Sequence, residues 1–249
     1  MPHPYLATDG PVGFAHRGGA RVHPENTERA FRHAVDLGFR YLETDVHTTA
    51  DGVLVAFHDD RLDRVTDADG AIADLRWADV SRARVDGTDP IMRLEDLLEA
   101  FPDAHVNIDP KAWASVEPLA DTLIRMDALD RVCVTAFSRR RTVAVKKLVG
   151  DRLCTGGGTG AAIQLRSGTP LRMLGGVDVL QVPPRAGRLT VVNERFVRNA
   201  RRKGIHVHVW TIDDPAEMHR LLDLGVDGIM TDEPTTLRTV FRERGLWSD

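Results

Sequence analysis

Two histidines stand at the ends of short apolar runs that are typical of buried strands. His16 ends the run that begins at Val12, and His58 follows the run from Val53 to Phe57. Histidine titrates near neutral pH, so it can act as a general base or as a general acid. Two histidines near one metal ion would supply one of each for a displacement at phosphorus. The alternative is that a histidine at a strand end only caps the following loop.

Three carboxylates also lie in or at the end of strand-like runs. Glu43 and Asp45 lie two residues apart in the strand-like run Tyr41–Val46, so their side chains point to the same face. Two like charges at such a short distance repel each other unless a cation neutralises them. A hard divalent ion with oxygen ligands would do so. Asp109, at the end of a later run, could be a third ligand. The alternative is a solvated strand edge that carries unrelated acids.

Arg17, Lys111 and Trp210 are candidates for holding a ligand beside these groups. Arg17 follows His16 directly and offers a planar fork of donors suited to phosphate oxygens. Lys111, two residues after Asp109, would add positive charge, although an ordinary surface lysine explains it in isolation. Trp210 ends another predicted strand and could form an apolar wall, but core packing explains it equally well.

The elements that must position these residues alternate between strand and helix along the chain. Such alternation predicts a parallel sheet, and about eight steps predict a closed (β/α)8 barrel, with an open doubly wound sheet as the alternative. In a barrel, reactive groups lie at the carboxyl ends of the strands, as these candidates do. The predicted strands are Val12–His16, Tyr41–Val46, His105–Asp109, Val132–Ala136, Arg152–Thr155, Val179–Val182, His206–Trp210 and Gly228–Thr231.

Three segments and the two cysteines are interpreted as structural. Residues 59–90 are polar and irregular, which indicates an excursion from the barrel rather than a repeat. The run Arg139-Arg140-Arg141 is interpreted as a solvated helix face, and Gly156–Gly160 as a flexible loop above the barrel. Cys133 and Cys154 sit in apolar runs with no flanking base. They are interpreted as core residues, with a disulfide or a thiol nucleophile as the alternatives.

Composition indicates one ordinary globular domain. The chain has 249 residues, 42% hydrophobic and 28% charged, with a net charge of −4. A nucleic-acid binder that relies on phosphate contacts would carry a basic surplus, so no nucleic-acid partner is expected. No window is long and apolar enough for a membrane span, and no signal peptide is visible. We therefore expect a cytoplasmic protein.

Together these pieces resemble the glycerophosphodiester phosphodiesterase family. The matching blocks follow the order of the family over nearly the whole chain, so their joint signal is specific although several are weak alone. They are His16-Arg17-Gly18-Gly19, Pro24-Glu25-Asn26-Thr27, Glu43-Thr44-Asp45, His58-Asp59, Leu62-Asp63-Arg64-Val65-Thr66, Arg93–Leu98, Asn107-Ile108-Asp109-Pro110-Lys111, Val209-Trp210-Thr211 and Gly225–Asp232.

The resemblance implies one (β/α)8 barrel over the chain, with a small insertion after the second strand at roughly residues 59–90. It implies hydrolysis of a small glycerophosphodiester to glycerol 3-phosphate and an alcohol. The insertion could close over the site or mediate a homodimer. The implied site comprises a divalent ion, Mg²⁺ or Ca²⁺, on Glu43, Asp45 and Asp109, the acid–base pair His16 and His58, the phosphate ligands Arg17 and Lys111, and Glu25 at the edge.

One position departs from the family pattern. Members usually carry Glu where this chain has Asp109, and the shorter side chain would shift the metal or admit a water. The related sphingomyelinase D-like phospholipases also use Asp there, which raises cleavage of lysolipid head groups as an alternative activity. Metal-assisted sugar or carbonyl chemistry would need a well-placed Schiff-base lysine or more metal-binding histidines. A lapsed, non-catalytic barrel would lack at least one of four residues, and all four are present: His16, His58, Glu43 and Asp45.

Overall fold

The computed structural model describes residues 3–158, 160–162 and 176–247. Within them β1 pairs with both β13 and β2, so the eight parallel strands β1, β2, β6, β7, β8, β9, β12 and β13 close into one barrel. The predicted (β/α)8 barrel is confirmed and the open sheet is excluded. In chain order the strands are β1 (Val12–His16), β2 (Tyr41–Thr48), β3 (Leu54–Ala56), β4 (Arg84–Val85), β5 (Asp89–Pro90), β6 (His105–Pro110), β7 (Val132–Thr135), β8 (Cys154–Gly157), β9 (Val179–Val182), β10 (Arg185–Ala186), β11 (Leu189–Thr190), β12 (His206–Val209) and β13 (Gly228–Thr231).

Helices connect the strands and cover the outside of the barrel. The first shows why they form: Thr27 accepts a hydrogen bond from the backbone N–H of Ala30, apolar Phe31 is buried on the inner face, and Gly38 follows the last turn with φ of 98°. No helix in the described ranges is long and apolar enough to cross a membrane. The helices are α1 (Glu28–Asp36), α2 (Trp77–Val80), α3 (Leu94–Ala100), α4 (Val116–Arg125), α5 (Arg139–Val149), α6 (Glu194–Arg201), α7 (Pro215–Asp223) and α8 (Pro234–Glu243).

The core has two layers, as a barrel requires. A large apolar layer lies between the strands and the helices, and a smaller one fills the barrel interior around Phe14, Tyr41 and Met230. Cys133 and Cys154 belong to the inner layer, where both are buried and free of a disulfide. Their prediction as core residues is confirmed.

The segment after β2 leaves the barrel. Strand β3 runs antiparallel to β2, and the short strands β4 and β5 pair with each other away from the barrel sheet. This segment buries an apolar cluster of its own, which includes Val55, Leu62, Ile72 and Val85. The cluster fixes the insertion beside the carboxyl end of β2, which is where His58 must be held if it is to face the barrel mouth.

Strand limits differ from the predictions by a single residue in β6, β7 and β12 and by two residues in β2 and β8. Strand β2 extends to Thr48 because its end pairs with β3. Strand β8 runs from Cys154 to Gly157, so the first two glycines of the predicted loop are strand residues. A Cβ on Gly156 would lie 2.2 Å from Oγ1 of Thr135, so glycine is the residue that fits this part of the barrel wall. Thr159 in that loop and residues 163–175 after it lie outside the described residues.

Candidate active site

A cavity of about 160 Å³ opens among the carboxyl ends of the barrel strands. Glu25 lies outside its lining, in the loop after β1, so a direct contact of Glu25 with substrate stays a prediction. A larger hollow of about 680 Å³ near the amino end of β1 has no histidine in its lining. The other candidates from the sequence all line the smaller cavity, namely His16, Arg17, Glu43, Asp45, His58, Asp109, Lys111 and Trp210.

The loop that carries Arg17 is shaped by backbone conformations that few residues accept. Arg17 itself has a φ of 52°, and Gly18 has a φ of 82°. A Cβ on Gly18 would lie 2.6 Å from Cβ of Ala30 at the start of α1, so only glycine allows this approach. The tight turn brings the guanidinium of Arg17 back over the barrel mouth, where its Nε lies 3.1 Å from Oδ2 of Asp45.

Three carboxylates are buried side by side at the mouth. Asp45 and Asp109 are register partners on β2 and β6, and Glu43 lies one side-chain layer deeper on β2. Burial, and then the charge of Asp45, raise the pKa of Glu43 to about 7. Burial also raises the pKa of Asp109, against the opposing charge of Lys111. These shifts mark a group of acids whose charges favour a nearby cation.

Lys111 supplies such a cation from within the chain. Its Nζ lies 2.6 Å from Oδ1 of Asp45 and 2.9 Å from Oδ2 of Asp109. Burial alone would lower the pKa of Lys111, but the two carboxylates raise it. In the part of the chain that the structure describes, no three His, Cys, Asp or Glu side chains converge closely enough to hold a metal ion. The predicted metal site therefore stays a prediction.

His16 is oriented by a carboxylate that the sequence analysis did not single out. Its Nδ1 lies 2.7 Å from Oδ1 of Asp232, and its Nε2 lies 3.7 Å from Oε2 of Glu43. Burial tends to lower the pKa of His16, but Glu43 and the hydrogen bond to Asp232 raise it overall. Asp232 is held in turn through its backbone N–H, which donates to Oδ1 of Asp213.

His58 has a matching arrangement. Its Nδ1 lies 2.6 Å from Oδ1 of Asp59, and its backbone carbonyl lies 3.1 Å from Nε2 of His47. Arg64 binds Asp59 through two nitrogens, and these contacts, with that to His58, lower the pKa of Asp59 to about 2. Each histidine thus has Nδ1 committed to a carboxylate, which leaves Nε2 for the cavity.

Arg64 also joins the insertion to the barrel. Its Nη2 donates to Oε1 of Glu25 at 2.7 Å, and that oxygen also accepts from Nη1 of Arg17 at 3.2 Å. A series of hydrogen bonds and ion pairs therefore links His58 to Asp45 at the mouth, by way of Asp59, Arg64, Glu25 and Arg17. Glu25 holds two arginines here, which is the contact that the structure gives it.

The opposite wall of the cavity is aromatic. The rings of Phe137 and Trp210 meet edge to face with centroids 5.6 Å apart, and Nζ of Lys111 lies 5.8 Å from the centroid of Phe137. Phe137 is 71% exposed, so most of its ring faces solvent at the mouth. The geometry therefore gives Trp210 a place on an apolar wall, one of the two roles predicted for it.

Sequence reasoning missed the residues that support the histidines. Asp232 follows β13 directly, so the rule that reactive groups follow barrel strands could have identified it. Asp59 was adjacent to a chosen histidine. No local pattern pointed to Arg64, because its two partners are 5 and 39 residues away along the chain.

Solved structures share this fold closely. An Agrobacterium tumefaciens glycerophosphodiester phosphodiesterase superposes with a TM-score of 0.81 at 22% identity, over 92% of this chain and 99% of that one. An Oleispira antarctica phosphodiesterase, solved in complex with the product sn-glycerol-3-phosphate, superposes with a TM-score of 0.82 at 22% identity, over 95% and 99% of the two chains. At this identity the likeness concerns the fold alone.

Proteins related in sequence identify the family of this chain. A Mycobacterium tuberculosis protein named probable glycerophosphodiester phosphodiesterase 2 is 41% identical over 98% of this chain and 95% of its own length. A Caldanaerobacter subterraneus glycerophosphodiester phosphodiesterase is 29% identical over 93% of this chain and 98% of its own length. The family model for glycerophosphoryl diester phosphodiesterases matches residues 16–236. The chain therefore belongs to the glycerophosphoryl diester phosphodiesterase family.

Proposed function

We propose that this protein hydrolyses glycerophosphodiesters to glycerol 3-phosphate and an alcohol, with His16 and His58 as the acid–base pair. Family membership and the relatives named for this activity support the reaction. The observation that carries the roles of the histidines is their paired geometry. Both line one cavity, and each has Nδ1 held by a carboxylate, at 2.7 Å and 2.6 Å. Such an arrangement fixes the tautomer and aims Nε2 at the substrate.

The proton movements follow from that geometry. One Nε2 removes the proton from the glycerol hydroxyl next to the phosphodiester, and the freed oxygen attacks phosphorus. The other Nε2 gives its proton to the oxygen of the departing alcohol, which leaves a cyclic phosphate. In the second half the roles reverse: water loses its proton to the second histidine, attacks phosphorus, and the first histidine protonates the glycerol oxygen. Both histidines are then restored.

The chemistry of Glu43, Asp45 and Asp109 suits a divalent ion, Mg²⁺ or Ca²⁺, and the three side chains would have to draw closer together to hold it. All three are buried carboxylates, and Oδ1 of Asp109 is buried without a hydrogen-bond partner among the described residues. Hard cations of this kind prefer oxygen ligands. When bound, the ion would neutralise charge on the phosphoryl oxygens.

Arg17 and Lys111 are proposed to hold the phosphate. Both cations line the cavity and lie against the carboxylates, where burial strengthens their attraction for an anion. Trp210 is proposed to pack against the alcohol or the glycerol carbons from the aromatic wall. Glu25 contributes by holding Arg17 in place. A cytoplasmic location and a homodimer also stay predictions, and cell fractionation and light scattering would test them.

Release of glycerol 3-phosphate from glycerophosphocholine, measured with EDTA, Mg²⁺ or Ca²⁺, tests the proposal. We expect release that EDTA abolishes and one of the two ions restores. His16→Ala and His58→Ala should each lower turnover by roughly 10²-fold or more. Near-normal turnover in both variants would contradict the acid–base pair, and full activity in EDTA would contradict the metal.

The lysolipid alternative is not favoured, because the relative with 41% identity is named for glycerophosphodiesters. Lysophosphatidylcholine in the same assay provides the check. If choline were released only from the lysolipid, the shorter ligand Asp109 would have changed the substrate and the proposal would be wrong.

A further inference from the structure

The charges around the barrel mouth are unevenly distributed among its loops. The insertion, residues 59–90, carries nine Asp against five Arg, a net charge of −4. Residues 111–115, 136–141 and 183–193 carry five Arg and one Lys and no acidic residue. These three loops, here called the basic rim, follow β6, β7 and β9 on one side of the barrel. A chain with a net charge of −4 thus has one strongly basic patch beside its cavity.

The basic rim also carries exposed apolar side chains. Trp113, Phe137 and Leu189 are 63%, 71% and 47% exposed, although side chains of this kind are normally buried. Phe137 lines the cavity and touches Trp210, so the rim is continuous with the site. Exposed apolar side chains on several loops beside one cavity are typical of a surface that binds a partner.

Arg141 donates a hydrogen bond to the backbone carbonyl of Lys111, but the other four arginines of the rim do not serve the fold in this way. Arg139, Arg140, Arg185 and Arg188 are exposed, and none forms an ion pair with a described residue. Arg139 and Arg140 lie in the first turn of α5, where the positive end of the helix dipole disfavours cations. Their position costs stability locally, so it is better explained by an anionic partner than by the packing of α5.

We propose that the basic rim docks on an anionic lipid surface, with the barrel mouth facing the lipid. Arginines next to exposed aromatic and aliphatic side chains are the combination that binds such surfaces: the cations are drawn to acidic head groups and the apolar side chains enter the interface. A nucleic acid would engage the arginines but gives no role to Leu189. The acidic insertion follows β2, the neighbour of β6, and would be repelled, so the docked protein should tilt towards the loops after β7 and β9.

Vesicle flotation tests this directly and needs no catalysis, so its result is independent of the proposed function. The probes are vesicles of phosphatidylcholine alone and of phosphatidylcholine with 30% phosphatidylglycerol, at low and high NaCl. We expect binding to the anionic vesicles only, and binding that weakens as salt screens the charges. Binding to neither vesicle type, or equal binding to both, would overturn the proposal.

Matched variants locate the surface. Each rim arginine near an anionic surface should contribute roughly fivefold to partitioning, so Arg185→Gln with Arg188→Gln should weaken it roughly 25-fold. The control is Lys147→Gln with Arg202→Gln, two exposed cations at the carboxyl ends of α5 and α6, away from the mouth. Binding should change less than about threefold in the control.

A second pair tests the apolar contribution. Trp113→Ala with Leu189→Ala should weaken partitioning at least about tenfold. Ile124→Ala with Leu148→Ala removes two side chains of similar exposure, 54% and 52%, from the outer helices and should have little effect. Thermal unfolding checks that each variant is folded. Equal losses in the variants and their controls, or binding to a single-stranded oligonucleotide in place of vesicles, would overturn the proposal.

Discussion

Replacing Asp232 by Asn should impair catalysis through His16 while leaving the barrel intact. Asp232 and His16 come from strands at opposite ends of the sequence, and Nδ1 of His16 lies 2.7 Å from Oδ1 of Asp232. Asn has nearly the same shape as Asp, so packing is conserved and the negative charge is lost. The amide can also turn its NH2 group to Nδ1, which would place the proton of the imidazole on Nε2 instead.

The expected size of the effect follows from the burial of this pair. The side chains of His16 and Asp232 are 14% and 22% exposed, so solvent screens their hydrogen bond only in part. Hydrogen bonds to charged groups contribute about 1.5–3 kcal/mol. If that stabilisation is needed when His16 is protonated during the reaction, kcat should fall roughly 10- to 150-fold. KM should change little, because Asp232 is not part of the cavity lining.

The pH dependence provides a second readout. Asp232 helps to raise the pKa of His16, so its loss lowers that pKa and moves the limb of the rate profile that reports His16 to lower pH. The stability effect has a definite sign. A raised pKa stabilises the fold below about pH 6.5, and the contribution disappears as pH rises through the folded pKa. Asp232→Asn should therefore lower Tm more at pH 5.5 than at pH 9.

Steady-state release of glycerol 3-phosphate across pH is the assay, with Glu233→Gln as the matched control. Glu233 is the adjacent acid and makes no described side-chain contact with His16. Near-normal kcat in Asp232→Asn would refute the orienting role. An equal loss in Glu233→Gln would attribute the effect to local charge alone, and an unshifted profile would show that His16 does not control that limb.

Three further predictions concern other parts of the molecule. Asp59→Asn should lower Tm at pH 7 by about 2–4 °C, which corresponds to a loss of roughly 1 kcal/mol after solvent screening. The difference in Tm from the parent should shrink as pH falls towards 2, because the ionised Asp59 stabilises the fold only at pH values above its lowered pKa. Lys111→Met should lower Tm in EDTA, since Asp45 loses its buried ion-pair partner, and enlarge the rise in Tm on adding Mg²⁺ or Ca²⁺. Gly228→Ala should destabilise the barrel by about 1–3 kcal/mol in urea unfolding, because the new Cβ would lie 2.8 Å from Cδ2 of His208.

Each of these has a clear contrary result. A Tm difference for Asp59→Asn that is as large at pH 2 as at pH 7 would mean that its charge is not the cause. An unchanged response of Lys111→Met to metal ions would separate the lysine from the metal site. A neutral Gly228→Ala would show that the barrel interior can relax around the added methyl group.

The fold was predictable because its signals are periodic and local. Apolar runs alternating with helical segments identified the barrel strands to within a few residues. The limits of β2 and β8 could not be predicted, since they depend on partners distant in sequence. Strand β2 is extended by β3, and Gly156 belongs to β8 because it pairs with β7 and β9.

The candidate site was predictable where chemistry follows a strand end. His16, Glu43 and Asp45 could be placed on one face because side chains alternate along a strand, and the structure brings them to one cavity. Phe137 was missed because a lone aromatic residue after a strand has no distinguishing pattern. That it lies beside Trp210 is known only once β7 and β12 are part of the same barrel.

The sequence by itself determined the barrel, the family and the candidates for the reactive side chains, because hydrophobic period, strand-end position and motif order are properties of neighbours along the chain. Only the tertiary structure decided which groups control those side chains. Asp232 reaches His16 across 216 residues, and Arg64 joins Glu25 across 39. Closure of the barrel creates these contacts, and the pKa values depend on them because burial and charge act through space and not along the chain.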